Sequence, residues 1–196
     1  MTQSNNPHKV KILEKEVLSD NWYKLYKFTY AMTDKNGEEI IQSREAYDRG
    51  NGATILLYNV PQRTVILTSQ FRLPTLVNGN EGGMLIETCA GLLDLDDPEE
   101  CIRRETEEET GYRIDHVRKI FDVYMSPGSV TEILYFFVGE YTRDQKVNEG
   151  GGVDEDENIE VLELDFDKAY NMITTGEIRD AKTIILLQYA KLNKLF

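Results

Sequence analysis

Apolar and polar side chains alternate through WYKLYKFTYAM, residues 22–32, at the two-residue period of a strand. The stretch is rich in aromatics, and TDKNGEEI after it carries Asn36-Gly37, a hairpin signal. Residues 9–50 therefore read as strands. The pattern then changes to continuous apolar runs, ATILLYN (53–59) and TVILTSQF (64–71), joined by VPQR. Such runs predict a hairpin of buried strands. RLPTLVNGNEGG (72–83), rich in Gly and Asn, predicts a loop, and MLIETCAG (84–91) a short strand ending in Ala-Gly. A helix is expected over 98–110: Asp97 can cap it, Pro98 suits its first position, Glu100 stands three after the cap, and Gly111 is a natural stop. VRKIFDVYMSPG (117–128) and EILYFFVGEY (132–141) read as strands around a Ser-Pro-Gly turn. NEGGGVDEDENIE (148–160) predicts a flexible acidic loop, VLELDF a strand, DKAYNMITTG a helix, and DAKTIILLQYAKLNKL a final helix. Strands first, then mixed strands and helices, predict an α+β sandwich with an added N-terminal β segment.

The expected helix over 98–110 breaks the usual pattern. From Pro98 to Arg104 its only apolar side chains are Cys101 and Ile102, and Glu105, Glu107, Glu108 and Glu109 follow. On this reading almost nothing on it can be buried. Glu105, Glu108 and Glu109, spaced i, i+3, i+4, share one face. Like-charge pairs at that spacing cost about 0.2–0.5 kcal/mol each. Two readings are open: a solvated acidic face, or a face that holds a divalent cation. Hard oxygen ligands at helical spacing suit Mg²⁺ or Mn²⁺. Arg103 or Arg104 could fold back and orient the glutamates.

Composition narrows the partners. The net charge of −13 argues against a partner held by phosphate neutralisation, so no nucleic acid is expected. A local pocket of Arg and Lys, or a metal, could still hold a small phosphorylated ligand. No apolar run has membrane-spanning length, and MTQSNNPHKVKILEKE shows no apolar core of a secretion signal, so a cytoplasmic protein without a membrane partner is expected. Cys89 and Cys101 make no disulfide framework and read as reduced packing residues. His8 and His116 stand in no nucleophile pattern with a Ser or Cys.

GLLDLDDPEECIRRETEEETGY, Gly91 to Tyr112, resembles the Nudix box, G-x5-E-x7-R-E-U-x-E-E-x-G-U. Arg104, Glu105, Glu108, Glu109 and Gly111 fit it. The spacing from Gly91 to Arg104 is one residue short, the first motif glutamate has no clear counterpart (Asp96 or Asp97 is nearest), and Thr106 stands where an aliphatic residue is usual. YDRGNGATILLYN, QFRLPTLVNGNEGGMLIETCAGLLD, MSPGSVTE, GGGVDEDENIEVLEL and TGEIRDAKT extend the likeness to most of the chain. Together they resemble the GDP-mannose hydrolase branch of the Nudix superfamily, close to the ADP-ribose pyrophosphatases.

The resemblance implies a Nudix α/β/α sandwich with a mixed sheet over 51–196, and an N-terminal antiparallel β segment over 1–50 exchanged across a homodimer. It implies Mg²⁺-dependent hydrolysis of GDP-mannose to GMP and mannose 1-phosphate, with Mn²⁺ as a substitute metal and ADP-ribose or other nucleotide sugars as the alternative substrates. Residue by residue, Glu105, Glu109 and the backbone of Ala90 would bind the metal, and Glu108 would ligate or support. Glu157 would be a metal ligand or base, a role that Asp156 or Glu155 could take, with Asp156 otherwise a substrate contact. Arg72 would hold the diphosphate, with Gly91, Leu92 and Glu109 beside the substrate. Arg44 and Glu45 would contact the substrate, Trp22 would stack on the base from the partner subunit, Glu132 would face the sugar, and Lys182 would make a further contact. Without the resemblance, Lys182 reads as a water-facing lysine at a helix start. Gly150, Gly151 and Gly152 would let their loop close over substrate.

Overall fold

The computed structural model describes residues 10–93, 97–153 and 158–196. Its contacts divide the chain into two compact units, 1–50 with 126–132, and 51–125 with 133–196.

The first unit is an antiparallel sheet of β1 (Val10–Asp20), β2 (Lys24–Thr33) and β3 (Glu39–Asp48), in that order. The Asn-Gly signal is realised between β2 and β3. Asp34 accepts from the backbone N–H groups of Asn36 and Glu38, and Gly37 takes a left-handed φ of 86°. The Ser-Pro-Gly turn joins this unit, with Tyr47 N–H donating to Ser129 O at 2.7 Å. β1 is exposed over nearly its whole length, including Val10, Ile12, Leu13, Val17 and Leu18.

The second unit contains β4 (Gly52–Asn59), β5 (Thr64–Phe71), β6 (Met84–Glu87), β7 (Ala90–Leu92), β8 (Arg118–Tyr124), β9 (Ile133–Glu140) and β10 (Glu160–Asp165). Its helices are α1 (Leu73–Val77), α2 (Pro98–Thr110), α3 (Phe166–Thr175) and α4 (Ala181–Leu192), and a 3₁₀ turn covers Arg143–Gln145. The sheet runs β10-β5-β4-β9-β8, with β6 on β5 and β7 on β4. It is mixed, because β4 pairs parallel with β9 and antiparallel with β5 and β7.

The apolar runs are explained by layers on both faces. Alternate residues of the central strands point to opposite sides. Leu56, Val65, Leu67, Phe136 and Val138 pack with Phe166, Ala169, Leu186 and Leu187 of α3 and α4. Ile55, Leu57, Ile66 and Phe137 pack with Cys101 and Ile102 of α2 and with Tyr112, Ile114 and Tyr141. The unit is an α/β/α sandwich, as expected.

Two local expectations are corrected. The stretch 72–83 is not all loop, because Pro74 at a helix start fits the turn of α1, where Leu76 N–H reaches Arg72 O at 3.3 Å. α2 does not lie bare on the surface: it buries Cys101, Ile102, Thr106, Glu109 and Thr110. Thr106 and Thr110 can be buried because their hydroxyls donate to the carbonyls one turn back, Ile102 O and Thr106 O. Thr106 thus fills a slot where an aliphatic side chain would otherwise pack.

Candidate active site

The glutamates of α2 part into two directions. Asp97 caps the helix by accepting from Glu99 N–H at 2.9 Å, and Gly111 closes it with a φ of 79°. That register turns Glu105 and Glu109 towards residues 89–91 at the head of β7. Glu109 accepts from Ala90 N–H at 3.3 Å and is 4% exposed. Glu105 lies so close to Gly91 that a Cβ there would sit 2.1 Å from its carboxyl carbon. Glu108 points elsewhere, towards Arg104, at 4.0 Å. Arg104 also pairs with Glu105 at 3.3 Å, so one arginine spans both directions, whereas Arg103 pairs back to Glu99.

Burial raises the Glu109 carboxyl to about 7, against a hydrogen bond from Cys89 that lowers it, and the Glu105 charge adds to the rise. Burial also pushes the Cys89 thiol well up, with Glu109 and Glu105 beside it. Cys89 and Cys101 are both buried and form no disulfide. Two carboxylates held against one backbone stretch, at the expense of ionising one of them, form a donor set that a hard divalent cation fits. Among the described residues no three His, Cys, Asp or Glu side chains converge as a closed metal cage. Mg²⁺ needs none, since it is typically held by one or two carboxylates with waters and substrate phosphates.

Next to this pair is a group of charges from three other elements. Glu87, at the end of β6, is 4% exposed at its side chain. Its Oε2 accepts from Arg72 Nε at 2.8 Å and pairs with Nη2 at 2.7 Å, and its Oε1 accepts from Lys182 Nζ at 2.8 Å. Lys182 also pairs with Asp180 at 3.1 Å. Asp180 caps α4, accepting from Thr183 N–H at 3.0 Å and from its hydroxyl at 2.6 Å. Burial disfavours the Glu87 charge, but Lys182 and Arg72 outweigh it and hold the carboxyl below its ordinary range. Arg72 also favours the ionised form of Glu109, so the two groups feel each other.

The second unit therefore brings together Arg72, Ala90, Gly91, Glu105, Glu109 and Lys182, with Leu92 half-buried at the end of β7. Lys182 is buried in ion pairs, which corrects its reading as a water-facing lysine. Trp22, Arg44, Glu45 and Glu132 belong to the first unit. Trp22 is 85% exposed and stacks on Tyr23 at 5.3 Å, and Arg44 and Glu45 are exposed on β3. Glu132 is held by Arg49 at 3.7 Å. Glu155, Asp156 and Glu157 lie outside the described residues. Sequence reasoning missed Glu87. Its one signal is a carboxylate set in the apolar MLIETCAG.

The loop after the 3₁₀ turn is stitched to the end of α2. Gly151 N–H donates to Glu109 O at 2.8 Å and Gly152 N–H to Glu108 O at 3.1 Å. Gly150 takes a φ of 70°, and a Cβ there would lie 2.4 Å from Glu109 O.

Comparison with known proteins identifies the family. Residues 48–187 match the family described as "NUDIX domain", and residues 9–47 match "GDP-mannose pyrophosphatase NudK N-terminal domain". A Yersinia enterocolitica protein named GDP-mannose pyrophosphatase is 61% identical over 95% of this chain and 97% of its own length. Proteins of that name from Shigella dysenteriae and Escherichia coli are 59% identical over 95% of this chain and 97% of theirs. A solved structure described as an ADP compounds hydrolase superposes with a TM-score of 0.68 at 16% identity, covering 94% of this chain and 96% of that one, a likeness of fold. The chain belongs to the Nudix hydrolase family.

Proposed function

We propose that the protein hydrolyses the diphosphate bond of GDP-mannose to GMP and mannose 1-phosphate. The observation that carries this reading is the convergence of Glu105 and Glu109 on residues 89–91 beside Arg72 and Lys182, in a chain so similar throughout to enzymes named for that substrate. Glu105, Glu109 and the Ala90 backbone would hold Mg²⁺, or Mn²⁺ in its place. Such an ion would supply neutralisation of the diphosphate and acidification of the attacking water. Arg72 and Lys182 bind the phosphate oxygens and fix the substrate in line. The water oxygen forms a bond to phosphorus as the bridging P–O bond breaks, and its proton passes to a carboxylate of the 148–160 loop, Glu157 or its neighbour Asp156. Glu108 supports through Arg104. Gly91 and Leu92 border the substrate.

The N-terminal segment supports a homodimer in this reading. Val10, Ile12, Val17 and Ile41 are more than half exposed, an apolar surface that a second copy would cover. Trp22 of one protomer then stacks on the base of the other's substrate, Arg44 and Glu45 contact substrate, and Glu132 meets the sugar. No described helix is long and apolar enough to cross a membrane. With both cysteines reduced and buried, we propose that the protein is cytoplasmic.

The test is purified protein with Mg²⁺ and GDP-mannose, GDP-glucose, ADP-ribose or UDP-glucose, with products read by chromatography. GMP and mannose 1-phosphate, formed fastest from GDP-mannose, are expected. Faster cleavage of ADP-ribose would overturn the substrate and keep the metal site. Glu109→Gln should lower turnover about 10²–10³-fold, the range for removing one preorganised electrostatic group.

A further inference from the structure

Arg72 and Lys182 come from separate parts of the fold, the exit of β5 and the first turn of α4, yet they meet on one carboxylate. Each oxygen of Glu87 serves a different cation. That division sets the distance and the orientation of the two positive groups. Two features show that the cluster does more than join elements. First, the junction of residue 88 with α4 is already made without Glu87. Thr88 N–H donates to Thr183 Oγ1 at 2.7 Å in a buried site, and Asp180 holds that same hydroxyl. Second, the cations retain donor capacity. Arg72 Nη1 takes no part in the bonds to Glu87, and the Arg72 side chain is 38% exposed. Lys182 Nζ has three N–H groups and two carboxylate partners.

We infer that Glu87 is a positioning residue for the hydrolysis: a buried counter-anion that holds Arg72 and Lys182 at a fixed spacing for the diphosphate of a nucleotide sugar. This rests on the reading of Arg72 and Lys182 as diphosphate-binding groups. Without the shared anion the two cations repel, and a substrate must then gather them at the cost of its own binding. Glutamine is the informative replacement. It keeps the shape but has only one acceptor oxygen, so its amide N–H₂ faces one of the two cations.

The experiment is steady-state kinetics on GDP-mannose with saturating Mg²⁺ for wild type, E87Q, E87D, R72A and R72A/E87Q, with thermal melting of each. For folded E87Q, KM should rise about 10-fold or more, as for loss of an orienting outer-shell partner. Its kcat should stay within about 3-fold, since the loss falls on binding. In the R72A background E87Q should raise KM by less than it does in wild type, because only its hold on Lys182 is then lost. A folded E87Q with wild-type KM, or R72A and E87Q effects that simply multiply, would overturn the inference. If E87Q does not fold, E87D, which keeps the charge but draws it back by one methylene, gives the same readout, and an unmoved KM there overturns it. Wild-type protein that cleaves no nucleotide sugar overturns the activity and this inference together; an active wild type with an unmoved E87Q overturns this inference alone.

Discussion

Gly91 has no side chain, and Glu105 needs that space. An alanine would place its Cβ 2.1 Å from the Glu105 carboxyl carbon, which must then leave residues 89–91. Gly91→Ala should therefore weaken Mg²⁺ activation about 10–100-fold, the range for disturbing a ligand's support. A metal titration of activity at fixed substrate reads it, and an unchanged half-saturating Mg²⁺ concentration would refute the placement of Glu105. Glu87 carries a pH prediction. Its carboxyl lies below the ordinary 4.5 in the folded state, so its stabilisation is complete above 4.5 and is lost as pH falls through the lower, folded value. Thermal melts from pH 7 to pH 3 should fall more steeply for wild type than for Glu87→Gln below about pH 4.5. The two residues also show what single positions reveal. The glutamates of α2 are legible because their spacing is local. Glu87 is not, because its partners stand 15 and 95 residues away and no short pattern joins them.

At the scale of elements, α2 is bound at both ends to parts of the site. Its face meets β7 through Glu105 and Glu109, and its last carbonyls accept from Gly151 and Gly152. Those carbonyls would otherwise be orphaned at the helix end. The glycine run is thus tied down at its root, which limits any closing motion there. Gly150→Ala places a side chain at a left-handed φ and 2.4 Å from Glu109 O. It should destabilise by about 1–3 kcal/mol, seen as a lower melting temperature, and should lower turnover as the helix end shifts. Cap residues, the Asn-Gly hairpin and the apolar runs made most elements readable from the sequence. α2 is harder to read, because threonine and glutamate fill buried positions that apolar side chains usually take. α1 was hidden by its Pro and its five residues.

For the whole molecule, the exposed apolar strand β1 is the feature a lone protomer leaves unexplained. Light scattering should give twice the chain mass for wild type, and the chain mass for Ile12→Asp/Val17→Asp. If Trp22 serves the partner's substrate, that variant should also lose GDP-mannose turnover while remaining folded. A wild-type monomer would remove the cross-protomer role of Trp22. The layers of the second unit follow from the continuous apolar runs of its central strands, buried on both faces. Their order in the sheet does not, because pairing partners far apart in sequence leave no local mark.

The parallel pairing of β4 with β9 also bears on how the chain is made. Residues 52–58 find their parallel partners only at 134–140. At ribosomal rates of roughly 5–20 residues per second, that interval lasts about 4–16 s. Throughout it the hairpin of β4 and β5 has neither its parallel neighbour nor α3 and α4, and Leu56, Val65 and Leu67, which pack against those later elements, stand open to water and to other nascent chains. The strands that end as the driest part of the protein are thus the longest in need of a chaperone's cover during synthesis.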